Sequence, residues 1–190
     1  MRRTFYIALV CSGALTSALA VLCFLYGGSV LITLTTTVGT TFFHFAMRLC
    51  VGFAVEKCFP KRIDLQGFWF REHRWEKGVY KRLRVRKWAK KVPTFKPEQF
   101  DLNTHTYGEL ARQMCLSELV HEVIVLCGFL SLLFCFFFED PLANLTPFLI
   151  TAILAGLYDL QFVILQRYNR PRVVRLMQRE ERKTASHTAS

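Results

Sequence analysis

The sequence predicts an all-α integral membrane protein, with four transmembrane helices and a basic cytoplasmic, interfacial segment between the second and the third. Three observations lead there. The chain is at once apolar and basic, with 52% hydrophobic residues, a mean hydropathy of +0.25 and a formal charge of +11. The two properties are segregated: apolar runs fill Phe5–Tyr26, Val30–Val55, Leu119–Phe138 and Leu145–Leu165, and nearly all the charge lies outside them. The cations also fall on alternate sides of these runs, as the positive-inside rule asks of four spans. At 190 residues the chain is read as a single membrane domain, 1–190.

Crossing a hydrocarbon core of ~30 Å takes about 20 helical residues. The first span is placed at about 5–26, which holds no charge. Met1-Arg2-Arg3 ahead of it, and Ala18-Leu19-Ala20 within it, resemble parts of a signal peptide. The run stays apolar through Val21 to Tyr26, which favours a retained signal anchor. Gly27-Gly28-Ser29 and the threonines near Thr35 predict a turn from Gly27 to about Thr35, with the second span at about 36–58. The third span, 119–138, carries His121 and Glu122 near its start, and the fourth, 145–166, carries Asp159.

The 25 Lys and Arg residues orient these spans. Arg2 and Arg3 precede the first, fifteen cations lie in the segment 57–112, seven fall in the tail 167–190, and Arg48 sits inside the second span. The loop after Tyr26 is uncharged and the loop at Glu139-Asp140-Pro141 is acidic. Both termini and the segment 57–112 are therefore expected on the cytoplasmic side of the membrane.

The segment 57–112 is too long for a simple turn and interleaves aromatic with basic residues: Phe68-Trp69-Phe70-Arg71, Arg74-Trp75-Glu76-Lys77 and Tyr80-Lys81-Arg82. Trp75, Val79, Leu83 and Arg86/Trp88 approximate the stripe of one helix lying in the membrane interface. Pro93 and Pro97 break the pattern, and Thr104–Arg112 begins a helix leading into the third span. Membrane lipids are expected partners. Nucleic acid is not, because such basic density beside membrane spans is explained by topology. The seven cysteines form no CxxC pair and read as reduced packing residues, so neither a metal site nor a cofactor is expected.

Ionisable side chains inside a bilayer are functional candidates by default. His44 and Arg48 share a face of the second helix at a spacing of four. Glu118, His121 and Glu122 form another such set at the cytoplasmic start of the third. Asp159 lies about 10 Å from Gln166 along the fourth. The plain reading is mutual neutralisation, with Arg48 paired to Asp159 or to a glutamate. The chemical reading has His121 as a general base oriented by Glu118 or Glu122, and Arg48 or His44 binding an oxyanion or phosphate. Cys115, one turn before Glu118, is an alternative nucleophile, with packing as its simpler role.

Val163-Ile164-Leu165-Gln166-Arg167-Tyr168-Asn169-Arg170-Pro171-Arg172 resembles the C-terminal signature of the glycosyl-4,4'-diaponeurosporenoate acyltransferase family, small bacterial membrane enzymes that esterify the sugar of a glycosylated carotenoid. Val85-Arg86-Lys87-Trp88 and Ser117-Glu118-Leu119-Val120-His121 are similar to weaker family strings, and the order agrees over about 40–176. The resemblance implies O-acyl transfer from an activated fatty acyl donor to a lipid-like hydroxyl acceptor. It implies Glu118 and His121 as acid–base groups, and Gln166, Arg167, Asn169, Arg170 and Arg172 as site or headgroup residues. In physical terms Asn169 can end the fourth helix and Pro171 redirect the chain.

The expected function is therefore a membrane-bound acyltransferase acting on a glycolipid or a glycosylated isoprenoid or carotenoid. Its expected catalytic residues are His121, Glu118 and Glu122. His44, Arg48, Asp159, Gln166, Arg167, Asn169, Arg170 and Arg172 are expected to bind substrate. A small transporter or channel component, or a non-catalytic membrane partner, would use similar buried charges. The apolar outer halves of the third and fourth spans argue against a polar path through the bilayer.

Overall fold

The structure is a computed structural model that describes residues 2–59, 63–65, 67–92, 100–101 and 103–188. Among these residues every regular element is helical. The order is α1 (Arg2–Tyr26), α2 (Ser29–Cys58), α3 (Glu76–Arg82), α4 (Val85–Trp88), a 3-10 turn (Ala89–Lys91), α5 (Tyr107–Gly128), a 3-10 run (Phe129–Phe137) and α6 (Pro141–Thr188). Four stretches are helical, long and apolar enough to cross a membrane: Arg3–Tyr26, Ser29–Cys58, Tyr107–Phe137 and Pro141–Ser186.

Three boundaries differ from expectation. The turn after α1 is only Gly27-Gly28, and α2 begins at Ser29. Both glycines take a positive φ, +66° and +99°, which reverses the chain within two residues. The threonines that suggested a turn instead satisfy their hydroxyls inside the helix. Thr33, Thr35, Thr36, Thr37, Thr40 and Thr41 each donate to the carbonyl four residues earlier. Likewise α6 does not end at Asn169 but runs on through Pro171 to Thr188. Residues 175–183 are Arg, Leu, Met, Gln, Glu and Lys, all strong helix formers, and they sustain the helix past a proline that costs it one hydrogen bond.

The interfacial stripe is not one helix. Arg84 adopts a left-handed conformation, φ 50° and ψ 40°, and separates α3 from α4. Pro93 and Pro97 lie outside the described residues. The helix expected to open near Thr104 starts at Tyr107, behind a capping box. Thr106 Oγ1 accepts from the Glu109 amide at 3.2 Å, and Glu109 Oε2 accepts from the Thr106 amide at 2.9 Å.

Two compact units are formed. The first takes Met1–Ala54 and Val123–Asp159. Within it Phe5 meets Phe45 edge-on at 5.1 Å and Phe43 meets Phe134 at 5.4 Å. Gly13 faces the ring of Phe42 so closely that a β-carbon there would lie 2.9 Å from it. Its polarity is inverted relative to a water-soluble domain. Thr36, Thr40, His44, Ser131 and Asp159 are buried, while Val10, Val21, Phe24, Leu126 and Leu154 face outward. Helices in lipid pack in this way, because surrounding acyl chains accept apolar side chains and polar groups must find partners inside.

The second unit takes Val55–Glu122 and Leu160–Ser190. Its core holds charge as well as apolar groups: Val85, Ala111 and Cys115 are buried together with Glu76, Glu118, Gln166 and Arg170. On α6, Val163, Gln166 and Arg170 recur at helical spacing as the buried stripe.

Candidate functional site: a buried glutamate–arginine network

In the second unit, Glu118 of α5 is wholly buried and both its oxygens are taken by arginines of α6. Arg167 donates from Nε to Glu118 Oε1 at 2.7 Å, and Arg170 donates from Nη1 to Glu118 Oε2. The two arginines are three residues apart, so they project about 60° from each other round α6 and can close on one carboxylate. A planar guanidinium has further donors to place. Arg167 donates from Nη1 to Glu76 Oε1 at 2.8 Å and from Nη2 to the Trp69 carbonyl at 2.8 Å. Arg170 donates to the Phe70 carbonyl and lies 5.3 Å from the Phe70 ring centroid.

The network thus ties the loop at Trp69–Phe70 to α5 and α6. Glu122, one turn after Glu118, accepts from Trp69 Nε1 at 2.8 Å and stands 3.8 Å from Arg167 Nη2. Glu76 also accepts from Tyr80 Oη at 2.6 Å. Burial and the adjacent Glu76 carboxylate push the Tyr80 phenol above its ordinary range, so it stays protonated as the donor of that bond.

Other expected site residues fall around this frame. Gln166 donates to Ser117 Oγ at 3.3 Å. His121 is half-buried and stacks on Phe162, with ring centroids 4.5 Å apart and planes 9° from parallel. Asn169 is half-buried inside the continuing helix. Arg172 is set apart from the buried pair: five residues beyond Arg167 it is turned by about 140°, is exposed, and donates to Tyr168 Oη at 2.7 Å. Cys115 is fully buried, as a packing residue would be. Among the described residues no group of His, Cys, Asp and Glu is arranged to hold a metal ion.

His44, Arg48 and Asp159 are brought together within the first unit. Arg48 makes a hydrogen-bonded ion pair with Asp159, and its Nη1 also donates to the His44 carbonyl at 3.0 Å. Both ring nitrogens of His44 are buried without a hydrogen-bond partner among the described residues.

Beside Arg167 a cavity of about 440 Å³ opens between Phe68, Trp69, His73 and Trp75. His73 stacks against Trp75 at 6.3 Å and meets Phe68 edge-on at 5.3 Å. Glu76, the Trp69–Phe70 loop and His73 were not singled out from sequence as site residues. Glu76 is one of six acidic residues in the segment 57–112, so its charge alone does not mark it in the sequence.

The family model of glycosyl-4,4'-diaponeurosporenoate acyltransferase matches residues 66–179, more than half of the chain and every member of the Glu118–Arg167–Arg170 network. No curated protein and no solved structure matches the chain.

Proposed function

The chain belongs to the glycosyl-4,4'-diaponeurosporenoate acyltransferase family, and from that premise we propose that it moves a fatty acyl group from an activated donor to a sugar hydroxyl of a glycosylated carotenoid or a related glycolipid. The observation that carries this reading is the aromatic cavity beside Arg167, whose walls hang on the buried glutamate–arginine network. Aromatic faces offer an amphipathic wall to a glycolipid, with one side apolar and the polar tips free to hydrogen-bond. Arg167 borders the cavity with its charge met by Glu76 and Glu118, and it holds the Trp69 carbonyl and so fixes the aromatic wall.

In this reading His121 removes the proton from the attacking hydroxyl. Glu118 and Glu122 have a different task from the one expected of them. Their oxygens engage Arg167, Arg170 and Trp69, so they position the arginines and the aromatic loop. Gln166, Asn169 and Arg172 remain candidates for substrate contact along α6. The enzyme lies in the bacterial plasma membrane with its termini and the segment 57–112 in the cytoplasm, which the alternation of basic and uncharged loops supports.

The test is ester formation per folded molecule, with purified protein, a glycosylated carotenoid and an activated fatty acyl donor. His121→Ala is expected to lower turnover by about 10²–10⁴ while the protein stays folded. Turnover close to that of the unaltered protein would remove His121 from the mechanism and leave His73 as the next base to examine.

A further inference from the structure

The proposed acyl transfer leaves one large feature of the second unit unused. A cavity of about 470 Å³ has walls from α3, α4 and α6. Lys77 and Lys81 come from α3, and Arg84, Arg86 and Lys87 from the left-handed turn and α4. From α6 come Arg172 and Arg175. The single acidic wall residue, Glu72, stands 3.9 Å from Lys77.

The backbone break at Arg84 is what gathers these charges. On an uninterrupted helix Lys77, Lys81 and Arg84 would share a face, but Arg86 would point about 180° away from Lys77. With Arg84 at φ 50°, Arg86 and Lys87 line the same cavity as Lys77. A non-glycine residue in that region is strained, and such strain persists where the surroundings impose it.

Most of the wall cations have no carboxylate among the described residues. Arg48, Arg167 and Arg170 each have a carboxylate. Lys81, Arg84, Arg86, Lys87 and Arg175 make no ion pair with a described acidic residue. Membrane orientation asks for cations on this side of the bilayer and is indifferent to their arrangement. Clustering them round a cavity brings like charges together, which a polyanion would offset. The floor is aromatic: Tyr80 and Tyr168 meet edge-on at 5.5 Å, and Arg172 is held 4.4 Å above the Tyr168 ring.

We propose that this cavity binds the phosphate groups of the acyl donor, so that the donor is a soluble acyl thioester on a phosphate-bearing carrier. The inference rests on the acyl-transfer reading and names its donor class. The step balances without an oxidant or reductant. The acceptor oxygen bonds to the thioester carbonyl carbon as its proton passes to the base, the carbon–sulfur bond breaks, and the leaving thiolate takes up that proton.

The probes are coenzyme A, pantetheine, which lacks the phosphates, and phosphatidylglycerol vesicles, each titrated against the full chain in neutral detergent. Coenzyme A should bind at least about tenfold more tightly than pantetheine, because charged forks on phosphate are the strong contacts. Its affinity should fall as salt rises from about 0.05 M to about 0.5 M. Lys81→Gln combined with Arg172→Gln should weaken coenzyme A binding about tenfold or more. Arg179→Gln, also on α6 but outside the cavity, should leave it unchanged. His121→Ala should lower transfer by about 10²–10⁴ yet keep coenzyme A affinity, which separates failure of this inference from failure of the acyl-transfer reading. Equal affinity for coenzyme A and pantetheine, undiminished binding by the double variant, or displacement of coenzyme A by phosphatidylglycerol would each overturn the proposal, the last by assigning the cavity to a lipid headgroup.

Discussion

Glu118 shows how much can rest on one side chain. It is fully buried, and two guanidinium groups reach it from α6. Removing its charge leaves the buried Arg170 without a carboxylate among the described residues, while Arg167 keeps Glu76, and breaking a buried pair in this way costs about 3–5 kcal/mol. Glu118→Gln is therefore expected to lower resistance to unfolding in sodium dodecyl sulfate by an amount of that order. Combining it with Arg170→Gln should cost less than the two single changes added together, because both remove the same interaction. His44 should behave in the opposite way. Its ring nitrogens are buried without hydrogen-bond partners among the described residues, a burden of about 1–3 kcal/mol. His44→Leu is expected to raise stability in the same unfolding assay, and a loss would mean that the ring is satisfied in the working protein. Sequence spacing made the His44–Arg48 and Glu118–His121–Glu122 sets legible, because helical neighbours follow from position alone. It could not reveal Glu76 or Trp69, whose partners Arg167 and Glu122 are 91 and 53 residues away in the chain.

At the scale of elements, hydropathy located four membrane-length helices, and local hydrogen bonding decided where they begin and end. Threonine is a turn signal in water because its hydroxyl competes for backbone groups. In α2 the hydroxyls bond back to carbonyls of the same helix, so the residues that suggested a loop extend the helix to Ser29. Pro171 misled in the same direction. Small residues give the packing of α1 on α2 a direct test. A β-carbon at Gly13 would press on the Phe42 ring at 2.9 Å, whereas one at Gly52 would meet nothing within 4 Å. Gly13→Ala should force the Phe42 ring aside and cost about 1–3 kcal/mol by overpacking. Gly52→Ala should be neutral, or stabilising by up to about 1 kcal/mol from helix propensity. Unfolding in sodium dodecyl sulfate compares the two, and equal responses would mean that α1 does not pack on α2 through Gly13.

For the whole molecule, the distribution of polarity is the strongest physical constraint. Polar side chains are buried on the long helices, leucines and phenylalanines face outward, and cations gather in the segment 57–112 and the tail. An anionic cytoplasmic leaflet attracts each nearby Lys or Arg by about 1 kcal/mol. Placing that segment on the outer side would forfeit this attraction many times over, while the uncharged loop at Gly27-Gly28 and the acidic one at Glu139-Asp140 would gain nothing inside. The segment 57–112 and the loop before Asn144 should therefore lie on opposite sides. The measurement begins with all seven cysteines replaced, followed by single cysteines at Lys91 and at Asn144, and labelling with a membrane-impermeant maleimide. Lys91 is exposed and Asn144 sits in the first turn of α6, so both positions tolerate the change without touching the glutamate–arginine network. Intact cells should label the Asn144 position, and the Lys91 position should react only after permeabilisation. Labelling of both from the same side would break the four-span arrangement. It would also remove the cytoplasmic face on which a soluble, phosphate-bearing donor has to meet the cations of α3, α4 and α6.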